Sequence, residues 1–280
     1  MHSGSETFSN LVEDRLRANY TALIRTYNSE KTLSHTLGAL NEQTEPPDQY
    51  VFVDSGSTDA TLNGVPAGSI VHRFSGTEFS FSEALNQGVE LVETEFVLII
   101  SSHTVLGNRK AISYALTLLE DDALGAVYFS KENGEELRNE RIDRNNFDGF
   151  NGLWNTCALV RMSLLRQRGF NREAFSAEDQ EWAHWLFHQQ GKAVARISGG
   201  GVVSYNERHN IPQKRLNEYV AVAYFVNRKL LGWRNLVHLV YRAVQIRHGW
   251  RGAERLWSLM LVWRLFACRF KKPKYQSRYF

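Results

Sequence analysis

Cysteine is nearly missing: two residues, Cys157 and Cys268, in a chain of 280. They lie far apart with no metal-type spacing, so a disulfide framework is not expected and a reducing compartment is the default. An apolar leader is missing as well, because Met1 to Asn19 is polar and acidic with no signal-type core. No apolar run approaches the roughly 20 residues that a membrane-crossing helix needs. There is no internal repeat and no low-complexity tract. These absences together predict a protein made and kept in the cytoplasm. What remains is ordinary globular composition, 43% hydrophobic and 22% charged, which excludes a disordered chain. The length suits one large α/β domain, with or without an appended module.

Charge is unevenly spread. From Arg234 to Phe280 there are eleven Lys or Arg against one acid, Glu254, so the overall +3 conceals a local +10 and leaves residues 1–233 at −7. Such asymmetry suggests that the tail meets something anionic, either nucleic acid or a lipid surface. Leu256, Leu259, Met260, Trp263, Phe266, Ala267 and Phe270 recur at helical spacing, flanked by Arg255, Arg264, Arg269, Lys271, Lys272 and Lys274. A short apolar helix with aromatic and basic residues suits the membrane interface, lying on it rather than crossing it. Docking on the main domain or on a partner is the competing expectation.

The first half alternates strands and helices. Strands are expected at Tyr20–Thr26, Tyr50–Asp54, Ile70–Arg73, Phe96–Ser101 and Thr156–Arg161, with helices near 30–43, 82–93 and 178–190. That order predicts an α/β fold: a mostly parallel central sheet with helices on both faces, followed by a helical C-terminal extension. Expected boundaries are an N-terminal extension over 1–19, the main domain over 20–212 and the basic, aromatic extension over 213–280. Residues 131–152, polar and rich in Asn, Arg and Gly, read as a long loop over the strand ends. Ligands of such sheets bind beyond the carboxyl ends of the strands.

Three of those ends are polar: Arg25-Thr-Tyr-Asn-Ser-Glu30, Val53-Asp-Ser-Gly-Ser-Thr-Asp59 and Ser101-Ser-His-Thr104. Each has a bland explanation, since Asn28, Ser29 or Asp59 would serve as helix caps. Three on one rim point instead to a binding site.

Ala22-Leu-Ile-Arg-Thr-Tyr-Asn-Ser-Glu30, its spacing to Val51-Phe-Val-Asp-Ser-Gly-Ser-Thr-Asp59, and Ala177-Glu-Asp-Gln-Glu-Trp182 resemble the family 2 glycosyltransferases of GT-A fold, over roughly residues 20–210. The resemblance implies an inverting transfer from a nucleotide-diphosphate sugar (UDP-, GDP- or dTDP-) to a hydroxyl of a glycan or lipid-linked acceptor, in surface polysaccharide or glycolipid assembly. Thr26, Tyr27, Asn28 and Glu30 would then line the nucleotide pocket, and Asp54 with Ser55 would bind base or ribose. Asn86, on the helix after Phe79-Ser-Phe-Ser-Glu, would touch the donor. Asp179 would be the base that takes the acceptor proton, which a poor alcohol nucleophile needs. Glu178 and Trp182 would meet the acceptor, Trp182 by stacking on its ring. Left to themselves, Glu178 and Asp179 are also ordinary first-turn acids favoured by a helix dipole.

One departure stands out. Family members usually carry an Asp-rich motif at the fourth strand end, which holds a divalent ion, Mn or Mg, against the diphosphate. Here Ser101, Ser102 and His103 stand instead. Ser102 and His103 would face the donor, and His103 with His209 would ligate a metal, imidazole suiting manganese, iron or zinc better than magnesium. An inactive nucleotide-sugar-binding scaffold is the alternative that this departure favours. A nucleic-acid-binding protein would explain the tail but not the acidic strand ends, so nucleic acid is not expected as a partner. A sugar nucleotidyltransferase is disfavoured because the chain has no Gly-rich phosphate loop.

Overall fold

Strand residues here alternate between two buried faces, and that alternation builds a three-layer molecule. The computed structural model describes residues 19–74, 79–132, 134–205, 212–244 and 252–274. In chain order its elements are β1 (Tyr20–Thr26), α1 (Leu33–Asn41), β2 (Gln49–Asp54), β3 (Ile70–Arg73), α2 (Phe81–Val89), β4 (Phe96–Ser101), β5 (Thr104–Val105), α3 (Ala111–Leu118) and β6 (Leu124–Phe129). There follow β7 (Arg138–Ile142), β8 (Cys157–Arg161), α4 (Met162–Gln167), α5 (Glu178–Gln189), β9 (Ala193–Ser198), β10 (Ser204–Tyr205), α6 (Pro212–Ala221), α7 (Trp233–Val244) and α8 (Gly252–Ala267).

Eight strands form one sheet in the order β3-β2-β1-β4-β8-β6-β9-β7. The pairs β3-β2, β2-β1, β1-β4 and β6-β9 are parallel, while β8 and the edge strand β7 run the other way. On β1, Ala22 and Ile24 face one core with Leu33, Leu37 and Leu40 of α1 and Ile112 of α3. Leu23, between them, faces the other core with Leu85 of α2, Leu165 of α4, and Trp182 and Leu186 of α5. Period-two strands buried on both sides read as continuous apolar runs, which is why β1 and β4 stand out in the sequence.

A third apolar cluster joins Phe175 and Ala177 to Val220, Leu236, Leu239 and Leu265. The C-terminal helices therefore share a core with the segment that leads into α5. Among the described residues, no helix is long and apolar enough to cross a membrane.

The segment expected as a loop over 131–152 contains β7. Four of its five residues are exposed, and its Glu140 pairs with Arg196 of β9. A charged edge strand resists pairing with other chains, and its polarity hides it from a hydrophobic pattern.

Candidate active site

Parallel register brings the polar strand ends to one rim. Thr26 lies opposite Asp54, and Arg25 opposite Ser101. β8 runs antiparallel to β4, so its approach segment, with Asn155, arrives at the same rim.

On the β2 side the rim is held by side chains turned inward. Asp54 is 2% exposed, and its carboxylate accepts from Thr26 Oγ1 (3.1 Å), Gly56 N (3.1 Å), Ser57 N (3.0 Å) and Ser57 Oγ (2.5 Å). Four donors fill the acceptor capacity of a carboxylate. Asp54 thus braces the turn after β2, and in this structure it offers no free oxygen for a base or ribose contact.

Asn28, in the left-handed region at φ 47°, accepts from Thr58 N (2.8 Å) and donates its own N–H to Ser57 Oγ (3.0 Å). Buried Ser29 and Ser102 share a hydroxyl–hydroxyl bond of 2.6 Å. Asp59 caps the short turn that follows, as its bland explanation had it, by accepting from Thr61 N (3.0 Å). Tyr27, Ser55 and His103 are half-buried and Glu30 is exposed, so these four retain some accessible surface.

One expectation is corrected. Trp182 is 0% exposed, packs against Phe170 and Trp185, and donates its indole N–H to Arg168 O (3.0 Å). It is a core residue and cannot stack on an acceptor ring. Asn86 uses both ends of its carboxamide on the backbone of Phe170, each at 2.8 Å. That clamp holds the 169–170 segment against α2 and takes up one N–H and one lone pair of the carboxamide.

The chemistry gathers at the start of α5. Glu178 is 6% exposed, which leaves little of it to meet an acceptor. Asp179 keeps some surface open although protein surrounds it closely. Its Oδ1 accepts from Gln180 N (2.8 Å) and its Oδ2 from Asn155 N (3.3 Å, a long bond), so lone pairs remain for a further donor. Gln180 fixes the helix start to the approaching loop by accepting from Gly152 N (2.9 Å). Gly152 is needed there, because a Cβ would stand 2.7 Å from Ala183 Cβ and from the Phe147 ring. Glu181 is taken up by an ion pair with Arg168 at 2.5 Å.

Burial, then the charges of Glu178 and of Glu218 on α6, hold Asp179 well above the usual carboxylate range. Burial raises Glu178 too, opposed chiefly by Arg25. The Arg25 guanidinium donates to Asn155 O (3.2 Å) and Ser101 Oγ (3.4 Å) and lies 5.1 Å from the Phe81 ring centre. Burial works against its charge, while Glu178 and Asp179 favour it.

Arg25, Asn155 and Glu218 were not singled out from the sequence. An arginine inside an otherwise apolar strand was a usable signal, since a buried charge needs partners. Glu218 is one of only two acids after residue 211. Asn155 carried no signal.

His103 sits in the turn between β4 and β5. His209 lies outside the described residues. Among the described residues, no group of three or more His, Cys, Asp or Glu is placed to hold a metal ion. The described donor set at the fourth strand end, one imidazole beside serine hydroxyls, is therefore incomplete as a metal site.

The O-antigen chain rhamnosyltransferase WbaN of Salmonella anatum is 28% identical over 112 residues, 39% of this chain. The O-antigen chain rhamnosyltransferase RfbN of Salmonella typhimurium is 26% identical over 113 residues, 38% of this chain. The chain spans about a third of these relatives, 35% of each.

Among solved structures, the Pyrobaculum calidifontis mannosyltransferase PcManGT, in complex with GDP-Man and Mn2+, superposes with a TM-score of 0.57 at 17% identity, covering 92% of this chain and 76% of that one. Glucosyl-3-phosphoglycerate synthase from Mycobacterium tuberculosis, with Mn2+, UDP and its product, gives 0.58 at 16% identity, covering 80% and 84%. These neighbours show the GT-A fold. The family model described as "Glycosyl transferase family 2" matches residues 21–177, more than half of the chain, which therefore belongs to that family.

Proposed function

We propose that this chain is an inverting glycosyltransferase that moves a hexosyl or deoxyhexosyl unit from a nucleotide-diphosphate sugar to a hydroxyl of a glycan or lipid-linked acceptor in surface-polysaccharide assembly. The observation that carries the reading is the Asp179 carboxylate. It stands at the carboxyl edge of the sheet with lone pairs to spare and with its pKa raised by burial and like charge. A base whose pKa rises toward the working pH takes a proton from an attacking alcohol more effectively. The two rhamnosyltransferases support a deoxyhexose and a polysaccharide acceptor.

In this reading the acceptor hydroxyl gives its proton to Asp179 as its oxygen attacks the anomeric carbon and the nucleoside diphosphate leaves from the opposite face. Tyr27, Glu30 and Ser55 contact the nucleoside. The network of Asp54, Asn28 and Ser57 keeps the turn in shape for it. His103 faces the diphosphate, and buried Ser102 braces the turn beside it through Ser29. A divalent ion, if bound there, would be held by His103 and His209. Such an ion would neutralise charge on the departing diphosphate.

The test is nucleotide release from UDP-, GDP- and dTDP-sugars with a lipid-linked glycan extract as acceptor, over a manganese and magnesium series. Release from one donor class is the expected result. His103→Ala should lower turnover about 10–100-fold at limiting metal and raise the metal concentration needed. A His103→Ala variant with an unchanged metal requirement removes the ligand role. Donor binding with no turnover in any extract would favour the inactive scaffold that the missing Asp-rich motif allows.

A further inference from the structure

Outside the active site, the largest unexplained feature is apolar and exposed. On α7, Trp233, Val237, Val240, Tyr241 and Val244 are 39–66% exposed. Their spacing of i, i+4, i+7, i+8 and i+11 puts them on one stripe of a 3.6-residue helix. Leu236, Leu239 and Ala243 turn the adjacent face into the protein. On the other side of the stripe, Arg234, His238 and Arg242 form an exposed row. On α8, Leu256, Leu259 and Trp263 are 49–69% exposed. Between the two helices runs an open groove of about 690 Å³ with Trp233, Val240, Leu259 and Trp263 among its walls.

Charge selects the occupant. The Arg269 guanidinium lies 4.7 Å from the Trp233 ring centre, at the end of the groove. Exposed Lys271 and Lys274 follow it. From residue 219 onward the chain contains one acid, Glu254. A second copy docked here would set this basic rim against its own like, which costs several kcal/mol where charges are juxtaposed. An anionic bilayer answers both properties, because apolar side chains enter the headgroup–acyl boundary while Lys and Arg meet lipid phosphates.

The face also lies one helix from the proposed base. Arg264 of α8 donates to Asn217 on α6 (2.8 Å), and its neighbour Glu218 acts on Asp179. We propose that the α7–α8 face is a docking surface for an anionic lipid bilayer, with the apolar stripe and groove in the interface and the basic row on the headgroups. Docking there would bring the start of α5 close to a membrane-borne acceptor. The inference rests on the surface and not on the transfer reaction.

Vesicle flotation of the full chain, with no donor present, tests it. Recovery with phosphatidylcholine–phosphatidylglycerol vesicles should exceed that with phosphatidylcholine alone and fall as salt rises. The double variant Val237→Asn/Val244→Asn should weaken binding roughly tenfold. Arg234→Ser/Arg242→Ser should remove the preference for the anionic lipid. Val71→Asn alters an exposed apolar residue of β3 and should float like the parent chain. Equal recovery on neutral and anionic vesicles would overturn the proposal, as would groove variants that float like the parent. A dimer in sedimentation that the double variant dissociates, without flotation, would assign the face to a second copy. Capture by an acidic amphipathic peptide, without flotation, would assign it to a protein partner. Failure of flotation leaves nucleotide release untouched, so the two readings fail separately.

Discussion

Replacing Asp179 by Asn is expected to lower turnover about 10³-fold, within the range that general-base catalysis contributes. Donor affinity should stay within a few-fold of the parent chain, because Asp179 stands on α5, apart from the β1 and β2 turns assigned to the nucleoside. The amide keeps the size of the carboxylate and one acceptor oxygen, enough for the shorter bond from Gln180 N with loss of the long one from Asn155 N, so the start of α5 should hold. The check is a kcat measurement beside a donor Kd from calorimetry. Retained turnover in Asp179→Asn would move the base elsewhere.

The same carboxylate sets the pH dependence. Its pKa is raised first by burial, then by Glu178 and Glu218. A base works only without its proton, so kcat/KM should fall as pH drops through the raised value. The acid limb should therefore lie above the ordinary Asp value of about 3.9. Glu218→Gln removes one raising charge and should move that limb to lower pH without abolishing turnover. For stability, a carboxylate raised in the folded state contributes stability fully present below its unfolded pKa and lost as pH rises through the folded one. Asp179→Asn escapes that loss, so at neutral pH it should melt no lower than the parent chain. A site that gives up stability for chemistry behaves in this way.

What the sequence disclosed, and what it hid, follows from where each residue's partners lie. β1, β2 and β4 are legible because each is buried on both faces and reads as an apolar run. The rim motifs were legible because polar residues directly after such runs fall at strand ends. β7 was not, since an edge strand needs charge more than hydrophobicity. α7 lies within the extension expected to be helical over 213–280 but was not resolved there as a separate helix, although Trp233, Val237, Val240 and Val244 keep helical spacing. Within the site, sequence placed Asp179 and Glu178 together but could not tell which side chains turn outward. Trp182 sits three residues after Asp179, which on a helix is nearly the same face, yet its length carries the indole into the core. Asp54 and Asn86 were read as ligand contacts from the family resemblance. Their acceptor and donor atoms are engaged by backbone 2–3 residues away in one case and 84 residues away in the other, and no local pattern distinguishes those fates.

Arg25 is the position where this hidden long-range bonding should matter most. Its guanidinium ties β1 to β4 through Ser101 Oγ and to the β8 approach through Asn155 O, while its charge faces Glu178 and Asp179. Methionine has the reach to fill the space but neither donates nor carries charge. Arg25→Met should therefore cost about 1.5–3 kcal/mol, the usual worth of hydrogen bonds made by a charged group. Denaturant unfolding measures it. Arg25→Lys keeps the charge, and an ammonium can serve two acceptors as the single terminal nitrogen of Arg25 does, so it should recover part of the loss.

The double variant Arg25→Met/Glu178→Gln removes the stranded acid and should recover part of the lost stability, with a coupling of about 0.5–3 kcal/mol. Turnover separates the two roles of the arginine. Loss of its positive charge leaves the acid pair with like-charge repulsion and burial alone, so the acid limb of kcat/KM should climb further in Arg25→Met. If that limb stays where it is in the parent chain, Arg25 acts on the fold and not on the base. If it climbs while Glu178→Gln brings it back, the arginine keeps Asp179 ionised by holding its buried neighbour in check.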